Sequence, residues 1–136
     1  MREIFNFLQV TIIAIGAFVG KFLGGFDGFL YALVIFVVID YITGVMLAIL
    51  EKKLASNYGY KGILKKVVIF ILVAASHIID YRILESGSTI RTTVIFFYLS
   101  NEGISILENS AKIGLPIPKK LKDILHQLNK EDDINE

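Results

Sequence analysis

The sequence predicts an all-α membrane protein with three to four transmembrane helices and a short C-terminal amphipathic helix. Three observations carry that prediction. Hydrophobic residues make up 54% of the 136 residues and charged residues only 20%, against roughly 45–50% and about 25% in ordinary soluble domains. The apolar residues are gathered into long runs, and the basic residues fall between and after those runs. With 14 Lys plus Arg against 13 Asp plus Glu, the net charge is +1, so no positive field exists to recruit nucleic acid. Cysteine is absent, which excludes disulfide scaffolds, thiolate zinc sites and Cys nucleophiles.

The first run, residues 4–20, carries no charge but includes Asn6, Gln9 and Thr11. Ala14 and Gly16 resemble the small residues of a signal-peptide cleavage site, yet apolar sequence continues past them and the flank before the run holds only Arg2. The run is therefore expected to be retained and to span; a helix lying in the interface is the competing reading. The second run, residues 29–50, has 22 residues and a single charge, Asp40. At 1.5 Å per residue such a helix reaches about 33 Å, enough for a hydrocarbon core of roughly 30 Å.

The third run is shorter, residues 67–79. It is extended to 63–80 if Lys65 and Lys66 snorkel toward the headgroups at one end. The fourth, residues 92–113, differs in kind. Its first half is apolar, while Asn101, Glu102, Ser105, Glu108, Asn109 and Lys112 recur at spacings of three and four and form one polar stripe on a helix. A carboxylate facing lipid at mid-helix costs about 3 kcal/mol even on insertion scales, so the stripe is expected to face protein, water or headgroups. Gly114 followed by Pro116 reads as the helix end.

Residues 1–118 thus form the predicted transmembrane domain. Residues 119–136 form a cytoplasmic amphipathic helix, with Leu121, Ile124, Leu125 and Leu128 on one face, and a charged tail expected to fray. Orientation follows from basic residues. With four spans, Arg2, Lys52, Lys53, Lys61, Lys65, Lys66, Lys112, Lys119, Lys120, Lys122 and Lys130 share one side, leaving Lys21, Arg82 and Arg91 on the other. That bias sets the C-terminus in the cytoplasm, and with four spans the N-terminus too.

Three ionisable groups fall at similar predicted depth. Asp40 lies eleven residues before Glu51, His77 eleven after Lys66, and Glu102 ten before Lys112, each about 15–16 Å from the cytoplasmic helix ends. An intramembrane charge needs a partner, and Asp40 is expected to pair with His77 or Glu102; three separate helix-packing hydrogen bonds are the plainer reading. Gly16, Gly20, Gly24 and Gly28 recur every fourth residue. Gly24 and Gly28 read better as part of a turn, leaving Gly16 and Gly20, with Gly44 in the second run, as helix-packing candidates. No phosphate loop, HExxH or GxSxG motif is present, and His126 has no nucleophile nearby in sequence. No enzyme, metal or cofactor is implied.

Several segments resemble the toxin-secretion/phage-lysis holins: Ile39-Asp40-Tyr41-Ile42-Thr43-Gly44, Gly59-Tyr60-Lys61-Gly62-Ile63-Leu64-Lys65-Lys66, and His77-Ile78-Ile79-Asp80. The strongest is Phe96-Phe97-Tyr98-Leu99-Ser100-Asn101-Glu102-Gly103-Ile104-Ser105-Ile106-Leu107-Glu108-Asn109, continuing through Gly114-Leu115-Pro116-Ile117-Pro118. The resemblance covers residues 29–128. It implies a protein that oligomerises in the bacterial cytoplasmic membrane and opens lesions for a cell-wall hydrolase (an endolysin) or a secreted toxin. The stripe of Asn101, Glu102, Ser105, Glu108 and Asn109 would then line the lesion or the oligomer contact. A small ion or proton channel using Asp40, His77 and Glu102 is the alternative, and an inert anchoring subunit a third class.

Overall fold

The computed structural model describes residues 1–53, 56–85, 87–124 and 127, and these are helical apart from short turns and links, with no strand among them. Four long helices follow one another: α1 (Arg2–Phe22), α2 (Gly28–Leu50), α3 (Ser56–Ile78) and α4 (Thr89–Ile113). Between α3 and α4 the chain widens into a π-helical turn, Ile79–Leu84, closed by Glu85 in the left-handed region at φ 49°. Residues 119–124 are again helical. Of the apolar face expected there, Leu121 is half-buried and Ile124 exposed, while Leu125, Leu128, His126 and the tail beyond 127 lie outside the described residues.

Among the described residues, three stretches are long and apolar enough to cross a membrane: Arg2–Phe22, Gly28–Leu50 and Gly59–Leu84. The polar stripe keeps α4 out of that set. The chain is accordingly an all-helical, multi-pass membrane protein. Helix α3 starts upstream of its apolar run, because hydropathy marks the lipid-compatible part of a helix and not its end.

Helix ends are closed by local chemistry. At the end of α1 the Gly25 amide donates to the Gly20 carbonyl and the Gly24 amide to that of Lys21, a Schellman-type stop. Asp27 then caps α2, its carboxylate accepting the Leu30 amide at 2.9 Å. Gly114, at φ 117°, ends α4, with the Leu115 amide donating to the Ser110 carbonyl.

The residues fall into two compact units, Met1–Leu33 with Lys65–Tyr98, and Val34–Leu64 with Leu99–Glu136. In the first, Leu23, Leu30, Leu33, Ile69, Val73 and Ile95 are buried, together with Ser76, Asp80 and Arg91. Their spacing along α3 and its extension (69, 73, 76, 80) marks one inward helix face. Helix α1 contributes Gly20 as its one buried residue, and its many Phe, Ile and Val side chains stand exposed, as a lipid-facing helix requires. In the second unit the buried residues are Val37, Leu47 and Ala48 with Asp40 and Glu102. Tyr41 of α2 lies along α3, where a Cβ on Gly59 would stand 3.4 Å from its hydroxyl and one on Gly62 would stand 3.8 Å from its ring.

Candidate functional site

In the second unit the polar stripe of α4 is divided between inside and outside. Glu102 is buried, Ser105, Glu108 and Asn109 are half-buried, and Asn101 and Lys112 are exposed. Successive residues turn by about 100° on a helix, so Glu102 and Asn109 share the edge that meets α2. There the Asn109 side-chain amide donates to the Asp40 carboxylate at 3.1 Å and to the Thr43 hydroxyl at 3.1 Å. The same nitrogen lies 3.4 Å from the Asp40 carbonyl. Thr43 is oriented by donating back to the Ile39 and Asp40 carbonyls. Gly44 adjoins this junction: a Cβ there would sit 3.7 Å from the Asn109 amide nitrogen. Gly103 faces the Phe36 ring at 3.4 Å in the same sense.

His77 belongs to the first unit. Its ring stacks on Tyr81 with centroids 5.9 Å apart and stands beside Gly24 of the α1–α2 turn, where an added Cβ would come within 2.7 Å of its Nδ1. Asp40 thus meets Asn109 and Thr43, while His77 meets the turn and Tyr81. At Gly16 and Gly20 a Cβ would meet nothing within 4 Å, although Gly20 is buried.

The first unit also holds a polar cluster that sequence reasoning missed. Arg91, 2% exposed, donates from Nε to the Leu23 carbonyl. One terminal nitrogen donates to the Asp27 carboxylate at 2.7 Å, and the other to the Gly25 carbonyl at 2.9 Å and to Asp27 at 3.3 Å. Its backbone amide, with that of Ile90, is capped by the fully buried Asp80 carboxylate at 2.8 and 3.0 Å. Asp80 therefore neutralises the positive end of α4, while Asp27 answers the guanidinium. A signal was available: Asp27, Asp80 and Arg91 all sit at the predicted non-cytoplasmic ends, where opposite charges offset each other.

The hydrogen bond from Arg91 holds the Asp27 carboxyl below its ordinary value of 3.8, against the partial burial that would raise it. A lowered folded-state value gives stability that is complete above the ordinary value and is lost as pH falls through the lowered one. Thermal melts in detergent micelles should therefore show an acid-induced loss beginning below about pH 4, and Asp27→Asn should remove that component.

Residues 17–130 match the model of the bacteriophage holin family. A 14.9 kDa protein in the nagH 3′ region of Clostridium perfringens is 42% identical over 95% of this chain and 98% of its own length. A Listeria innocua protein is 45% identical over 87% of this chain and 84% of its own. A probable holin of Bacillus phage phi105 is 36% identical over 71% of this chain and 70% of its own. No solved structure matches. A match that takes in α2, α3, α4 and both polar clusters settles membership: the chain belongs to the bacteriophage holin family.

Proposed function

We propose that the protein is a lesion-forming holin: it accumulates in the bacterial cytoplasmic membrane, self-associates, and opens lesions that release a cell-wall hydrolase or a protein toxin. The family match over residues 17–130 carries the reading. The divided stripe of α4 supports it. Glu102 is buried in one chain, while Asn101 and Lys112 remain exposed beside half-buried Ser105, Glu108 and Asn109. Polar groups on a membrane helix need protein or water. Packed copies satisfy them in a closed assembly and water satisfies them in an open one, which is the two-state element a sudden opening needs. The basic residues set the C-terminus on the cytoplasmic side.

The test is inducible expression beside a cytoplasmic endolysin lacking an export signal, following culture turbidity. Abrupt lysis after a lag, requiring both proteins, is the expected result. Glu102→Leu, which removes the buried carboxylate of the stripe, should shift the onset or abolish lysis at equal membrane accumulation. Continued growth with the wild-type protein inserted at high copy number would overturn the reading. Graded ion flux without protein release, sensitive to Asp40→Asn and His77→Ala, would favour the channel instead.

A further inference from the structure

We propose that the Arg91 guanidinium is a clasp holding the α1–α2 turn against the first turn of α4, and that its release sets when the assembly opens. The proposal rests on the holin reading above and adds to it the element that controls timing.

The geometry argues for a device and not for simple packing. Among the described residues, the acceptors of the guanidinium lie within residues 23–27: the Leu23 and Gly25 carbonyls and the Asp27 carboxylate. The turn is wrapped around one planar cation, with Asp27 held by two nitrogens as a fork. Gly24, at φ 90°, makes the space, since a Cβ there would fall 2.6 Å from Arg91 Nε. Because the guanidinium is rigid, these bonds form or break together. The Arg91 side chain is buried but that of Asp27 is 45% exposed, and an ion pair reached by water on one side contributes little net stability, which suits a contact that must let go.

The rest of the neighbourhood decides what moves. Arg91 is anchored at its backbone by Asp80, which caps α4 independently of the turn. On the other side, α1 buries only Gly20, so apart from Leu23, 7% exposed, side-chain packing gives little to re-seat the turn once the guanidinium lets go. Release therefore frees the turn and α1 while α4 keeps its cap. Arg91 is a positioning residue: it acts through the placement of α1 and not on whatever passes the lesion.

The chain has no cysteine, so Leu23→Cys introduces a unique thiol at a position 7% exposed within the clasped turn. Its labelling by N-ethylmaleimide in isolated membranes reads clasp opening, and lysis onset is followed separately in chains that keep Leu23. In Leu23→Cys alone, labelling should be slow. Adding Asp27→Asn, which keeps an oxygen to cap Leu30 but removes the charge, should speed labelling about tenfold, the scale of a lost charge-assisted hydrogen bond. Asp27→Asn with Leu23 intact should lyse earlier than wild type at equal accumulation. Arg91→Lys, which keeps the charge but cannot span the acceptors, should shift both readouts in the same direction. Equal labelling rates overturn the clasp whether or not cells lyse. Faster labelling with unchanged onset overturns its control of timing. Absence of lysis with the wild-type chain defeats the holin reading and the timing role with it, while the labelling rates still report the clasp itself.

Discussion

Asp80→Ala is expected to destabilise the folded protein by about 3 kcal/mol, the sum of a lost helix cap and the burial of amide donors left without acceptors. The Asp80 carboxylate is fully buried and serves the Ile90 and Arg91 amides with both oxygens. Asp80→Asn keeps one accepting oxygen and should lose about half as much. Unfolding by SDS titration in mixed micelles, followed by circular dichroism, measures both. A loss under about 1 kcal/mol for the alanine variant would mean that the cap contributes no more than an exposed one.

The second large effect is at Gly24. Alanine there meets two obstacles: a backbone at φ 90°, which L side chains rarely adopt, and a Cβ within 2.6–2.8 Å of Arg91 and His77. The conformational part costs about 1–2 kcal/mol. Displacing the guanidinium should bring the total to about 3 kcal/mol, because a buried charge-assisted bond is lost with it. Gly25→Ala is the control. Its φ of 97° imposes similar backbone strain, but an added Cβ meets nothing within 4 Å, so only the conformational part should be seen. Equal losses at the two positions would show that the guanidinium yields without consequence.

Sequence alone made the class of fold legible because the signal is thermodynamic. The 22 residues of the second run carry one charge, and lipid tolerates little else. The stripe of α4 was legible for the same reason, as polar residues at helical spacing following an apolar half stand out. That Asp40 would also meet Asn109 was not, since depth counted in residues does not fix rotation about the helix axis. Asp40 turns toward Asn109 because the two lie on facing edges of α2 and α4. Asp80 was hidden more deeply. The amides it accepts are ten and eleven residues away, beyond a π-helical turn that no hydrophobic pattern announces. Arg91, counted in sequence as a basic residue outside the membrane, is buried because three acceptors in another turn converge on it.

The seat of Tyr41 on α3 has a mechanical consequence. Helices usually lock against one another because the side-chain ridges of one sit in the grooves of the other. Between Gly59 and Gly62 the α3 surface has no ridge, and the facing ring leaves space for a methyl group and little more. An alanine at either glycine would touch the ring, while a branched side chain would push the helices apart. As built, the contact resists compression: the two glycines form a flat seat that sets how near the helices come at Tyr41.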